Sequence, residues 1–238
     1  FLEIVLGIDN IIFISIATSK LPKEQQRKGT NIGLILAMIF RIILLLGVSY
    51  LIAMKDPWIT INTTWLTTEI TGQSIILILG GIFLLYKSTS EIHHKVEGIS
   101  DEDSGPKKKA STLSRVIVQI VLIDIVFSFD SVLTAVGMTN GVNGALIIMI
   151  TAVVISMIIM MLFANPVGQF VNKHPTIQML ALSFLILIGF MLITEGAHLA
   201  NTVIFHQHVG AIPKGYLYFA IAFSLGVEAL NMKIRKKK

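Results

Sequence analysis

The chain is 238 residues long, 54% hydrophobic and only 14% charged, with a net charge of +5 and no cysteine. A soluble domain carries about 25% charged residues, so this composition, with its long uncharged runs, indicates an integral membrane protein. The lack of cysteine excludes disulfides, thiolate metal sites and thiol redox chemistry. The basic residues lie in short loops and at predicted helix ends, where they orient a membrane protein, so the positive charge does not indicate nucleic-acid binding.

Seven apolar segments are predicted to span the membrane, because about 20 apolar residues cross a bilayer as a helix. In chain order they cover residues 1–19, 31–54, 74–87, 116–138, 144–163, 177–197 and 215–232. The third is short by hydropathy and is expected to continue toward His93. Phe1 opens directly into an apolar run, and we expect the natural N-terminus to lie upstream of it.

The loops on alternate sides of these helices differ sharply in positive charge. One side carries most of the 19 lysine and arginine residues, whereas the other carries only Lys55 and Lys214. By the positive-inside rule the C-terminus is cytoplasmic and the first helix begins outside. A charged cytoplasmic linker, 97–115, divides the chain into a first three-helix repeat (1–96) and a second one (116–205). A seventh helix with a basic tail follows at 206–238.

The first and fourth predicted helices carry the same pattern of carboxylates. Glu3 and Asp9 correspond to Asp124 and Asp130 at a constant offset of 121 positions. A carboxylate in the bilayer core costs about 3 kcal/mol or more, so it needs a partner or a task. The pattern predicts one cation site built twice, near the membrane midplane, from two helices packed antiparallel.

Each half contributes three helices, an odd number, so the second copy runs opposite to the first. Segment 77–84 of the third helix also resembles segment 185–192 of the sixth. The predicted fold is therefore an all-α membrane protein with seven transmembrane helices. It consists of two inverted three-helix repeats and a C-terminal seventh helix.

The six-residue spacing within each acidic pair leaves two geometries open. On an ideal helix the two carboxylates lie about 120° apart and roughly 9 Å apart along the axis. Either the helix is broken locally, for which Gly7 and Ser128 stand at matching positions, or the pair marks two depths of one pathway.

Other charged residues in or near the spans could serve the same pathway. Arg41 is a cation inside a predicted span, and we expect it to point into the bundle and pair with an acidic residue, Asp9 or Asp124. Glu195 and Glu228 lie near helix ends, where a pathway role and a structural role are equally supported.

Carboxylate, amide, hydroxyl and carbonyl oxygens are hard ligands, which suit Mn²⁺, Mg²⁺, Ca²⁺ or protons rather than Cu(I) or Cd²⁺. No nucleophile–base arrangement, phosphate-binding loop or HExxH motif is present in the sequence. An enzyme is therefore disfavoured, and no organic cofactor is expected.

Three segments resemble the TerC family of integral membrane proteins: FLEIVLGIDN at 1–10, DIVFSFDS at 124–131 and GYLYFAIAFSLGVEALN at 215–231. The resemblance covers essentially the whole chain. It implies a bacterial inner-membrane protein of the LysE-type transporter superfamily, linked to tellurium resistance by name and to manganese export by function. It also implies a metal site at Glu3, Asp9, Asn10, Asp124, Asp130 and Ser131. Further candidates for the ion pathway are Arg41, Glu195, Glu228 and Asn231.

The leading functional hypothesis is a Mn²⁺ exporter that could exchange the ion for protons, since a carboxylate binds either one. The alternatives are efflux of another ion, such as Ca²⁺ or a tellurium species, and a membrane partner that helps metalate or assemble exported proteins. An acidic site repels a tellurite oxyanion. The expected partners are a divalent metal ion and the lipid bilayer; a homo-oligomer or another membrane protein is left open.

Overall fold

The computed structural model describes residues 2–97, 112–139 and 142–235, without the side chains of residues 2–9, 49 and 235. The protein is mostly helical. Its elements are α1 (Leu2–Thr18), α2 (Lys23–Leu46), α3 (Val48–Ala53), β1 (Pro57–Asn62), β2 (Leu66–Thr71), α4 (Gly72–Val96), α5 (Leu113–Thr139), α6 (Ala145–Lys173), α7 (Pro175–Leu199), β3 (Val203–Ile204), β4 (Gln207–His208) and α8 (Lys214–Arg235). Six of the described helices, α2 and α4 to α8, are long and apolar enough to cross a membrane. The remaining predicted span, the first one at 1–19, corresponds to α1, which has 17 residues.

Three helices differ in extent from their predicted spans. The second span is divided at Gly47 into α2 and the short helix α3, and α2 begins at Lys23 rather than at residue 31. Helix α4 continues past His93 to Val96, as expected. Helix α6 runs on to Lys173, because its last turns are polar and carry no hydropathy signal although they remain helical.

Helices α1 and α5 are continuous through Gly7 and Ser128. The alternative in which the acidic pairs sit on locally broken helices is therefore wrong for the described backbone. An unbroken helix leaves Asp124 and Asp130 at two depths, about 9 Å apart along the axis.

A small antiparallel sheet, which the hydropathy analysis did not predict, lies in the connections around α4 and α7. Its strand order is β1-β2-β3-β4. The backbone N–H of Glu69 in β2 donates to the carbonyl of Ala200 just after α7, at 2.7 Å, and Thr68 Oγ1 lies 2.9 Å from Thr202 Oγ1. The signal was the threonine- and isoleucine-rich segment 57–71, whose β-branched residues favour strands. The all-α expectation is corrected accordingly.

The chain forms two compact units, each with helices from both halves of the sequence. In the first unit α1 packs on α6 and α2 packs on α5, with α3 alongside. In the second unit α4 packs on α7, and α8 and the sheet complete it. Fully buried apolar side chains fill both units, such as Phe13, Ile120 and Met157 in the first and Leu77 and Leu182 in the second.

The backbones of α4 and α7 touch at two glycines. A Cβ on Gly81 would lie 2.5 Å from the carbonyl oxygen of Gly189, and a Cβ on Gly189 would lie 3.0 Å from that of Gly81. Small residues at such crossings let membrane helices approach closely. We expect Gly81→Val to lower the free energy of unfolding by about 1–3 kcal/mol through overpacking, measured as thermal unfolding in detergent. Gly137→Val is the matched control, because a Cβ there would have no described atom within 4 Å apart from its chain neighbours and the backbone of its own helix. Equal unfolding temperatures for the two variants would contradict the close packing.

Candidate ion site in the first helical unit

A buried ion pair joins α2 to α5 in the middle of the first unit. Arg41 Nη2 donates to Asp124 Oδ1 at 2.8 Å. The two residues are only 2% and 3% exposed. Membrane-spanning helices tolerate such charges when they are paired within the bundle. The expectation that Arg41 pairs with an acidic residue is confirmed, and of the two candidates named from the sequence the partner is Asp124.

Two further polar side chains complete the environment of this carboxylate. Ser128 Oγ donates to Asp124 Oδ2 at 3.0 Å and accepts from Arg41 Nε at 2.8 Å. Ser128 reaches Asp124 because residues four apart lie on the same face of a helix. Asn10 Nδ2 donates to Asp124 Oδ1 at 3.2 Å. We call Asn10, Arg41, Asp124 and Ser128 the Asp124 cluster.

The amide oxygen of Asn10 has no hydrogen-bond partner among the described side chains around Asp124. A carboxylate only accepts hydrogen bonds, so the Asn10 amide must point its nitrogen at Asp124. Its Oδ1 is buried and has no hydrogen-bond partner within the part of the chain that the structure describes. An amide oxygen beside a carboxylate is a ligand type that hard cations use.

Helices α1 and α5 pack antiparallel, as predicted from the duplicated acidic pattern. Leu21, just after α1, and Leu113, at the start of α5, both lie beside Gly29: a Cβ there would be 2.7 Å and 3.2 Å from their Cδ1 atoms. Asn10 and Asp124 meet further along both helices. Residue numbers therefore fall along α1 in the direction in which they rise along α5, so the two helices are antiparallel.

The other residues predicted at the metal site do not belong to the Asp124 cluster in the described structure. The side chains of Glu3 and Asp9 lie outside the described residues, so their convergence on Asp124 stays a prediction. Asp130 is half-buried, six residues beyond Asp124 and at another depth. Ser131 is buried, and its Oγ donates to the backbone carbonyl of Ser128 at 3.2 Å. No group of three or more histidine, aspartate or glutamate side chains gathers among the described residues.

The other pathway candidates lie in the second unit. Glu195 on α7 and Glu228 on α8 are half-buried, and Asn231 on α8 is exposed. Glu228 Oε1 accepts a hydrogen bond from Thr176 Oγ1 at 2.6 Å, which ties α8 to the start of α7.

Sequence reasoning did not assign Ser128 as a partner of the charges. It was considered only as a point where the helix could break. Its position four residues after Asp124 was the available signal, since a serine one turn from a buried carboxylate can donate to it.

Comparison with protein families decides the relationship of this chain. The family model for the integral membrane protein TerC family matches residues 1–238. The chain belongs to the TerC family. The resemblance seen in the three sequence segments is confirmed over the full length.

Several TerC relatives are similar along the whole chain. UPF0053 inner membrane protein YgdQ of Escherichia coli is 47% identical over 237 residues, which cover 100% of this chain and 90% of that protein. A UPF0053 protein of Haemophilus influenzae is 43% identical, with 99% and 91% covered. UPF0053 inner membrane protein YoaE of E. coli is 44% identical over 99% of this chain but only 42% of its own length, so the TerC region is one part of that longer protein. No solved structure matches the chain.

Proposed function

We propose that this TerC-family protein exports Mn²⁺ across the bacterial inner membrane and that the Asp124 cluster is part of the ion pathway. One observation carries the proposal: Asp124 is buried where three helices meet, beside an Asn10 amide oxygen that has no hydrogen-bond partner in the part of the chain that the structure describes. A purely structural pair would be expected to leave no buried acceptor unpaired, since an unsatisfied polar group costs about 1–3 kcal/mol.

Arg41 sets the electrostatics of the proposed site. Its guanidinium cancels the charge of Asp124, so a divalent cation that binds Asp124 must compete with Arg41 for the same oxygen. A proton on Asp124 would weaken the same ion pair. Competition among a guanidinium, a metal ion and a proton for one carboxylate gives exchange transport its physical basis.

The packing of the helices supports two inverted three-helix repeats. In the predicted repeats, α1 corresponds to α5 and α2 corresponds to α6. The contact between α1 and α6 then corresponds to the contact between α5 and α2, and both contacts are present. Within the second unit, the third helices of the two predicted repeats, α4 and α7, pack on each other. Gly81 and Gly189 occupy equivalent positions in the similar segments of those two helices, and they contact each other. Transporters built this way bind their cargo between the repeats.

The distribution of lysine and arginine supports a cytoplasmic C-terminus. In this orientation the loop between α1 and α2 and the end of α6 also face the cytoplasm, because both carry the basic residues of the positive side.

Two alternatives remain as proposals of lower rank. The oxygen ligands of the cluster suit Ca²⁺ as well as Mn²⁺, so another cargo is the closer competitor. The second alternative is that the protein acts as a membrane partner for exported proteins. Strand β1 supports it, because β1 is an edge strand exposed along its length. Such an edge can accept a strand from another chain.

The test is transport by the purified protein in liposomes. Mn²⁺, Ca²⁺, Mg²⁺ and Cd²⁺ are offered one at a time, with and without a pH gradient, and the internal ion is followed by a fluorescent indicator. We expect protein-dependent uptake of Mn²⁺ that increases with a proton gradient of opposite direction. Faster uptake of Ca²⁺ than of Mn²⁺ would change the assigned cargo. No flux of any ion, from protein shown to be folded, would favour the partner role.

A further inference from the structure

Three helix segments of the first unit enclose a polar cavity of about 390 Å³. Its walls are the end of α1, the first two turns of α2 and the last turns of α6. Lining positions recur three or four residues apart, at 23, 26, 27 and 30 on α2 and at 165, 168, 169 and 172 on α6. Residues at this spacing share a helix face, so one polar face of each helix is turned toward the cavity. The volume is within the range of small-molecule sites.

The floor of the polar cavity is made of buried hydroxyl groups. Ser15, Thr18 and Thr30 are each only 4–5% exposed. Thr18 and Thr30 donate to backbone carbonyls of the preceding turn, at 2.8 Å and 3.0 Å. Ser15 Oγ is buried without a hydrogen-bond partner among the described residues. Gly168 keeps space open beside it, because a Cβ there would lie 2.8 Å from Ser15 Oγ.

The rim of the polar cavity is positively charged. Lys23 and Arg27 are exposed and lie one turn apart on α2, and neither forms an ion pair within the described ranges. The described residues that line the cavity include no carboxylate. The start of α2, where Pro22 provides no side-chain cap, adds partial positive charge, and Glu24 in the first turn offsets part of it. This electrostatic field opposes a divalent cation and attracts an anion.

We propose that the polar cavity binds a phosphate-type oxyanion. The Arg27 guanidinium offers paired N–H donors that match phosphate oxygens, and Lys23 adds a point charge. The Ser15 hydroxyl supplies a donor at the floor, and the amides of Asn165 and Gln169 supply donors along the wall. The phosphate belongs either to a soluble ion or to the headgroup of an anionic phospholipid. The site is separate from the Asp124 cluster, and the proposal does not depend on which ion is exported.

Two binding measurements on the purified full chain distinguish the two sources. In an uncharged detergent, the unfolding temperature is followed as inorganic phosphate is added, against chloride at the same ionic strength. In nanodiscs, the unfolding temperature in phosphatidylcholine is compared with that in phosphatidylcholine mixed with phosphatidylglycerol. Saturable stabilisation by phosphate identifies the soluble ion. Stabilisation by phosphatidylglycerol alone identifies the lipid headgroup.

The variants connect either result to the cavity. We expect Lys23→Gln/Arg27→Gln to weaken binding at least about tenfold, because two charge-assisted contacts are lost. Lys28→Gln/Lys173→Gln removes the same charge from exposed positions outside the cavity and should bind like the wild type. Ser15→Ala should also weaken binding without lowering the unfolding temperature in the absence of ligand, since its hydroxyl makes no hydrogen bond within the described chain.

Two results would overturn the proposal. In one, Lys23→Gln/Arg27→Gln and its control Lys28→Gln/Lys173→Gln bind alike in both measurements. In the other, Mn²⁺ stabilises the wild type and does so more strongly after Lys23→Gln/Arg27→Gln. The second result would identify the cavity as a cation vestibule whose rim merely repels ions.

Discussion

Replacing Asp124 with asparagine should abolish Mn²⁺ transport and lower the free energy of unfolding by about 3–5 kcal/mol, the usual cost of removing one partner of a buried ion pair. The variant removes the Asp124 carboxylate from its ion pair with the buried Arg41 guanidinium. The amide also loses the charge that would attract a divalent cation. Thermal unfolding in detergent and ion uptake in liposomes measure the two effects separately.

A double variant separates the structural role of Asp124 from its role in transport. Arg41→Gln/Asp124→Asn removes both charges, so we expect most of the stability to return while transport stays lost. Asp56→Asn is the matched control, because it makes the same substitution at an exposed carboxylate and should change neither quantity. Normal transport by the double variant would show that the pair only holds α2 and α5 together.

Replacing Asp130 with asparagine should abolish Mn²⁺ transport. Asp130 is half-buried on α5, six residues beyond Asp124, and is not one of the residues of the Asp124 cluster. If it forms the second depth of the pathway, its charge is needed for the ion to pass. Asp9→Asn, at the corresponding position of the first repeat, is expected to behave in the same way. The measurement is intracellular manganese after a manganese load, in cells that lack other exporters.

Controls decide how this second result is interpreted. Membrane levels of each variant are compared with those of the wild type, and Asp56→Asn again reports the effect of the same substitution at an exposed site. His208 on β4 is exposed, so His208→Ala should clear manganese normally. If Asp130→Asn and Asp9→Asn both clear the metal at the wild-type rate, the proposed pathway is wrong. Retained metal binding with lost transport would instead indicate the proton step.

Hydropathy located the helices because a long apolar segment in a bilayer must satisfy its backbone hydrogen bonds internally, and a helix does so. It failed where the local signal was not apolar. The last turns of α6 contain Asn165, Gln169 and Asn172, which continue the helix although their side chains are polar. The hairpin of β1 and β2 is held partly by the end of α7, more than 100 residues away along the chain, and such pairing has no counterpart in a hydropathy profile.

The sequence by itself determined the class of protein, the duplicated carboxylates and the need for a counter-ion to Arg41, because each follows from the cost of charge in lipid. The tertiary structure decided that Arg41 reaches Asp124, that Ser128 bridges both charges and that Asn10 adds an oxygen with no partner among the described side chains. It also brought three polar helix faces together around the cavity above Ser15. Helical periodicity fixes which residues share a face, but which faces meet depends on how whole helices pack, and that is set by close approach at positions such as Gly29, Gly33 and Gly168.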